Sequence, residues 1–192
     1  IAEKKADIVV NVVDGTSHER SLYLTTQLLE LDPKMVVALN MYDEVEKLKI
    51  AIDFKMLQKL LGSHVVPVSA VKKTGIEALL DHVARIYENK IAVPRDKISY
   101  SEEIEEALTE LQGLLETDVP LSARFSPRWL AVKLLENDQF AYSVAKESPV
   151  WLRLKHKLPG LMNTLEGRLK ERIGQRISED RHAFARGAYK ET

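Results

Sequence analysis

The chain contains no cysteine, so disulfides and thiolate metal sites are excluded; a cytoplasmic setting accords with this without being proved by it. It also lacks any apolar run near the roughly 20 residues that a membrane-spanning helix needs, so the polypeptide as it stands is expected to be soluble. Neither charge sign dominates: 28 Lys and Arg against 29 Asp and Glu leave a net charge of −1. That balance gives no general electrostatic reason to expect nucleic-acid binding. The five histidines, His18, His64, His82, His156 and His182, show no His-x-x-x-His or similar ligand spacing. They are expected to be structural or surface residues, and no metal site is expected of them. No signal peptide is present, because Ile1-Ala2-Glu3-Lys4-Lys5 runs directly into a strand-like segment. There is no start methionine, and Ile1 opens in mid-pattern. The expectation is therefore part of a longer protein, with any membrane portion outside this stretch.

What is present divides the chain in two. Asp7 to Val13 is a β-branched run ending at Asp14-Gly15, the pattern of a strand buried on both faces. A helix should follow, capped by Thr16 or Ser17, with Glu19 and Arg20 in its first turn. Its apolar side should consist of Leu22, Leu24, Leu28, Leu29 and Leu31, and Asp32-Pro33 should stop it. Met35 to Leu39 reads as a second buried strand leading into Asn40-Met41-Tyr42-Asp43. A helix near Phe54 to Leu61 ends at Gly62, a short strand covers Val65 to Val68, and a helix runs from about Gly75 to Tyr87. Strands alternating with helices indicate parallel βαβ units.

From Ile91 to Tyr100 the pattern reads as a linker around Pro94, and no strand signal follows. Ile104, Leu108, Leu111 and Leu115 share one helical face, with Glu102, Glu103, Glu105 and Glu106 at the positive N-terminal end as a solvated cluster. Ser126-Pro127 starts a helix carrying Trp129, Leu130, Leu134 and Leu135. Trp129 and Trp151 are expected in the core or at a contact. Helical stretches cover residues 139–146 and 150–157, Pro159-Gly160 is expected to break the chain, and a charged helix covers about 161–184. The default for Arg168, Lys170, Arg172, Arg176, Arg181 and Arg186 in that helix is a solvated face; the alternative is contact with anionic lipid headgroups. The expected domains are 1–93, α/β, and 94–192, all-α.

In an open parallel sheet, ligands bind beyond the carboxyl ends of the strands. Asn40-x-x-Asp43 and Ser69-Ala70 both fall at that edge. Guanine presents N1–H and the exocyclic amine as adjacent donors, which one carboxylate, Asp43, accepts as a pair. Adenine would leave that carboxylate unsatisfied, and such sites discriminate on the order of 10⁴. Asn40 can reach the N7 edge and tie the two loops together, while the Ala70 N–H can donate to O6. The motif alone recurs by chance as ordinary loop caps; its position after a buried strand, with Ser-Ala after the next, is what strengthens it. Asp14, beside the same edge, is expected to be a turn aspartate rather than a Mg²⁺ or switch residue.

At these residues the chain resembles the FeoB family of ferrous-iron transporters. Residues 12–31 (Val-Val-Asp-Gly-Thr-Ser-His-Glu-Arg onward) are similar to the segment after that family's second switch. Ala38-Leu-Asn-Met-Tyr-Asp-Glu-Val-Glu-Lys47 resembles its base-specificity loop, in which Met41 stands where most GTPases have lysine. Val65-Val-Pro-Val-Ser-Ala-Val-Lys-Lys-Thr-Gly-Ile76 resembles its last nucleotide loop. The likeness continues at Tyr100–Ile104, Arg128–Glu136 and Ile177–Arg181, and loosens between about 140 and 170. It implies the C-terminal half of a P-loop GTPase-like parallel sheet followed by an all-α helical domain that favours GDP retention. It further implies GTP or GDP as ligand with Mg²⁺ as cofactor, and a base-binding set of Asn40, Met41, Asp43, Ser69, Ala70 and Val71. The implied partner is a transmembrane region of the same protein at the inner face of the cell membrane; the resemblance admits a homo-oligomer and gives no nucleic-acid partner.

Some motifs of a working GTPase are missing. No Gly-x-x-x-x-Gly-Lys-[Ser/Thr] phosphate loop, no Asp-x-x-Gly second switch and no first-switch threonine for Mg²⁺ occur here, so no catalytic residue is assigned. Two other readings stay open: a ribosome- or tRNA-associated GTPase, which would usually carry a basic RNA-binding domain, and a non-catalytic regulatory scaffold.

Overall fold

The computed structural model describes residues 2–3, 5–92 and 98–191, the side chains of residues 18–20 and 189 excepted. The expected domain boundary near 93 and its Pro94 linker lie outside the described residues. Two compact units are present. The first comprises Lys5–Ile98 and resumes at Ala183; Ser99–His182 makes up most of the second.

In the first unit β1 (Val9–Asp14), β2 (Met35–Asn40) and β3 (His64–Pro67) form a parallel sheet in the order β1-β2-β3. Between them run α1 (His18–Glu30), then α2 (Tyr42–Lys47) and α3 (Phe54–Leu61), with α4 (Ile76–Tyr87) following β3. One face of the sheet packs Val9, Val13, Met35, Val37, Leu39 and Val65 against Leu22, Leu57 and Leu61, together with Ala185 and Ala188. On the other face Val36, Ala38, Val66 and Val68 meet Leu79, Val83 and Ile86 of α4. A run of buried β-branched side chains supplies both the strand propensity and the burial that drives the layers together.

β2 is the doubly buried strand that its sequence suggested, but β1 is not. Val10 and Val12 are 42% and 63% exposed, because β1 is the sheet edge among the described strands and α4 packs against β2 and β3 rather than β1. Two strands with the same hydrophobic signature thus differ in burial through topology alone. In α1, Leu22 is buried, whereas Leu24 points away from the apolar side assigned to it. The inward face is completed instead by Thr25, whose Oγ1 accepts from the Nδ2 of buried Asn11 at 2.7 Å. Neither expected cap donates or accepts at the start of α1: Ser17 makes no side-chain cap bond, and the Thr16 hydroxyl turns to Asp14.

The second unit is all-helical: α5 (Glu102–Leu115), α6 (Val119–Arg124), α7 (Pro127–Leu135), α8 (Gln139–Lys146), α9 (Trp151–Leu169) and α10 (Ile173–Lys190), whose residues from Ala183 onward belong to the first unit. α5 buries Ile104, Leu108, Leu111 and Leu115 as their spacing indicated, and packs on α7 and α9. Trp129 lies in the core, stacked on Phe125 with ring centroids 6.0 Å apart.

Three expectations fail in this unit. Pro159-Gly160 does not break the chain: α9 runs straight through it, and the chain turns at left-handed Lys170 instead. Pro159 sits on the exposed side, while Leu154, Leu158 and Leu165 hold the helix in the core, so packing overrides the lost backbone bond. Arg181 does not belong to a solvated face. It is 2% exposed, and its Nη1 and Nη2 donate to Glu136 at 2.5 and 3.1 Å. The glutamates of α5 are not a purely solvated cluster either, since Glu105 takes Arg128 in a two-pronged pair at 2.6 and 2.9 Å and accepts from the Tyr100 N–H. No helix among the described residues is long and apolar enough to cross a membrane.

Candidate nucleotide-base site

The carboxyl ends of β2 and β3 carry the two polar motifs, and parallel pairing puts them side by side. β2 ends at Asn40, after which Met41 adopts a left-handed conformation (φ 59°) that turns the chain into α2. That conformation costs an ordinary side chain roughly 1–2 kcal/mol, a cost tolerated where the surrounding structure over-determines the backbone. Here the Tyr42 N–H donates to the Val68 carbonyl at 3.1 Å and the Val68 N–H to Leu39 at 2.9 Å, clamping the two loops together. α2, absent from the sequence reading, places Asp43 in its first turn.

The loop after β3 is held by a reciprocal backbone pair between Ser69 and Thr74 and by Gly75. Gly75 has φ +76°, and a Cβ there would stand 2.1 Å from the Pro67 carbonyl oxygen, so only glycine fits. Gly15, at the end of β1, is similarly pressed: a Cβ would meet the Asn40 carbonyl oxygen at 2.8 Å.

Two hydrogen bonds join the motifs. Ser69 Oγ donates to Asp43 Oδ1 at 2.7 Å, and the Ala70 N–H donates to Asn40 Oδ1 at 3.1 Å. The Lys72 N–H in turn donates to Ser69 Oγ at 3.2 Å, so the hydroxyl is oriented from both sides. Ser69 is buried, Asp43 retains 9% of its surface, and Met41 is 41% and Val71 90% exposed. The Ser69 hydroxyl, with the positive charges of Lys72 and Lys47, holds the Asp43 carboxyl below its ordinary value against the upward push of burial. The carboxylate is therefore charged throughout the neutral range. Each of its oxygens has two lone pairs, so the Ser69 bond leaves acceptors for a pair of ring donors.

All six residues singled out in the sequence fall at this edge. Asn40 joins the two loops by accepting the Ala70 N–H, the donor also proposed for a purine O6, and Ser69, to which no separate role was given, holds Asp43. Lys72 and Thr74 were missed; the only sequence signal for them was their place in the loop after a short strand. Asp14 is a turn residue as expected, its Oδ1 accepting from the backbone N–H and hydroxyl of Thr16 at 2.8 and 2.7 Å. That oxygen is thus engaged within its own turn, and no three His, Cys, Asp or Glu side chains among the described residues group to hold a metal ion.

Comparison with known proteins decides the family. Residues 1–83 match the family model described as Ferrous iron transport protein B, and residues 100–192 match that of the FeoB cytosolic helical domain. The chain belongs to the FeoB family. It is 35% identical, over 99% of its length, to an Fe(2+) transport protein A/Fe(2+) transporter FeoB fusion protein of Porphyromonas gingivalis. It is 37% identical over 74% of its length to the Fe(2+) transporter FeoB of Escherichia coli K12. The chain spans 23% and 18% of those two proteins, under a quarter of either. Among solved FeoB structures, it matches mGMPPNP-bound NFeoB from S. thermophilus with a TM-score of 0.84 and 28% identity, covering 98% of this chain and 68% of that one. The GDP-bound A143S mutant of the S. thermophilus FeoB G-domain gives 0.86 at 28% identity, with 97% of this chain and 69% of that one covered. The FeoB resemblance read in the sequence is thus borne out, as is the parallel sheet followed by an all-helical domain.

Proposed function

We propose that this chain is the base-recognition portion of a FeoB GTPase domain together with its helical domain, serving a ferrous-iron transporter whose GTP binding and hydrolysis regulate iron uptake. Asp43 accepts the N1–H and exocyclic amine of guanine, Met41 lies against the ring, and Asn40 addresses its N7 edge. Guanine O6 shares or displaces the bond between Ala70 and Asn40, with Val71 flanking it. The observation that carries this reading is the pair of hydrogen bonds, Ser69 to Asp43 and Ala70 to Asn40, that pre-positions a charged carboxylate opposite a backbone donor. Mg²⁺ belongs to the same reading, but its ligands are not in this chain. Neither is a phosphate loop, so this polypeptide alone binds guanine nucleotides weakly and hydrolyses none.

Titrating GDP and ADP into the chain while following the backbone amides of Asn40, Asp43, Ser69 and Ala70 by NMR tests the site. GDP at millimolar concentration shifts these amides and ADP does not; equal responses overturn the guanine assignment. In the complete transporter, Asp43→Asn moves preference from guanine towards xanthine nucleotides, because an amide donates to the xanthine carbonyl. Undiminished guanine preference in that variant would show that Asp43 does not read the base.

A further inference from the structure

At the opposite, amino-terminal end of β3, His64 faces His82 of α4, with ring centroids 5.6 Å apart and planes inclined at 58°. His64 Nε2 lies 2.9 Å from the Ala92 carbonyl oxygen, and His82 Nδ1 lies 2.8 Å from the Ala78 carbonyl oxygen. A carbonyl oxygen can only accept, so both nitrogens carry hydrogen. In the neutral rings this leaves His64 Nδ1 and His82 Nε2 as lone-pair nitrogens. An imidazole that donates one N–H to a backbone carbonyl and keeps the other nitrogen bare is in the state in which histidine binds metals, with tautomer and ring orientation already set.

The ring spacing fits the same use. With a metal–nitrogen distance of about 2.1 Å the ring centroid lies about 3.2 Å from the metal, and two such rings at a tetrahedral angle stand about 5.2 Å apart. The observed separation is 5.6 Å. Both rings are half-buried, so neither must be drawn out of the core to reach an ion.

We infer that His64 and His82 form a two-imidazole site for a borderline divalent transition-metal ion, the class that includes Zn²⁺ and Fe²⁺. Imidazole donors select such ions over Mg²⁺ and Ca²⁺, which prefer oxygen. No third His, Cys, Asp or Glu among the described residues completes a protein cage, so the remaining positions fall to water. Sequence spacing could not show this pair, because one ring comes from a strand and the other from the helix that folds back over the sheet. The site lies at the far end of β3 from Ser69 and Ala70 and does not rest on the nucleotide reading.

Zinc alone is the probe, added to the 192-residue chain. Calorimetry gives saturable binding of about one zinc per chain, and the imidazole signals of both His64 and His82 move while those of His156 stay. His64→Ala and His82→Ala each weaken binding by more than about a hundredfold, beyond what the loss of a supporting partner alone costs, and Mg²⁺ gives no heat. Circular dichroism confirms that the variants remain folded. The wild-type imidazole spectra decide the matter even if one variant does not fold: zinc that moves neither ring, or only one, overturns the site. Binding that survives in the folded double variant overturns it as well.

Discussion

Side-chain caps begin three helices of the helical unit but none of those at the carboxyl edge of the sheet in the α/β unit, the edge where the ligand is proposed to sit. In the helical unit α6, α7 and α8 start with Asp118, Ser126 and Asp138, each side chain accepting the backbone N–H three residues on, while α5 and α9 start at Ser101 and Val150 without such a bond. In the α/β unit, the helices that begin at the carboxyl edge of the sheet have no such bond. α1, α2 and α4 start at Ser17, Met41 and Gly75, the last two left-handed. α3, whose start does not directly follow a strand, is capped by Asp53. Capping contributes about 1 kcal/mol per helix. The α/β unit forgoes it at the edge that carries Asn40, Asp43 and Ser69 and spends its polar groups on joining the two loops. Such a trade is expected where a rigid scaffold positions a site at some cost in stability.

The contrast can be broken by substitution. The largest effect is expected from Gly75→Ala, because positive φ and the Pro67 carbonyl both oppose a Cβ. A loss of about 3–4 kcal/mol in the α/β unit, seen as earlier exchange of the β2 and β3 amides, is expected. Normal protection in that variant would mean the loop relaxes freely and is not the rigid frame described.

In the helical unit the counterpart is Glu136→Ala, which takes the carboxylate away from the buried guanidinium of Arg181 and should cost about 3 kcal/mol. Both tryptophans, Trp129 and Trp151, belong to this unit, so their fluorescence reports its unfolding directly. The same carboxylate gives a pH test. Burial, the strongest single influence on Glu136, pushes its pKa up, but the hydrogen bonds and charges of Arg181 and Lys133 together outweigh it and leave the carboxyl below its ordinary value of 4.5. A folded-state pKa depressed in this way adds stability that is complete above that value and is lost as pH falls through the folded pKa. Glu136→Gln should therefore flatten the fall in urea midpoint below pH 4.5. An unchanged acid limb would place the pH sensitivity elsewhere.

A smaller effect, about 1–2 kcal/mol by tryptophan fluorescence, is expected for Asp118→Ala. Asp118 caps α6 and also accepts from Ser148, whose hydroxyl is the main reason its carboxyl sits below the ordinary value. Smallest of all is Val12→Thr. With 63% of the residue exposed, this change should alter stability by no more than about 0.5 kcal/mol. A larger loss would show that the face of β1 is covered in solution.

Much of this architecture could be read from the residues in order. Apolar runs, β-branched in the first strand, marked the three strands, and Ile104, Leu108, Leu111 and Leu115 marked the buried face of α5. Asn40, Asp43, Ser69 and Ala70 were legible as a set because a parallel sheet brings successive strand ends to one edge. Less legible was anything requiring knowledge of what lies across a gap in sequence. Nothing along the chain pairs Asn11 with Thr25, and Arg181 reads as surface charge until Glu136 closes on it. Pro159 reads as a break until the packing around Leu154, Leu158 and Leu165 proves strong enough to carry the helix past it.

Local chemistry therefore determined most of the elements, the α/β-to-α order and the family, since propensity, periodicity and motif are properties of neighbours along the chain. Tertiary structure alone decided which face of β1 stays wet, which hydroxyl holds Asp43 and which amide holds Asn40. It also decided that two distant histidines stand ring to ring. Those outcomes depend on distances between segments, and burial and hydrogen bonding respond to distance in space rather than in sequence.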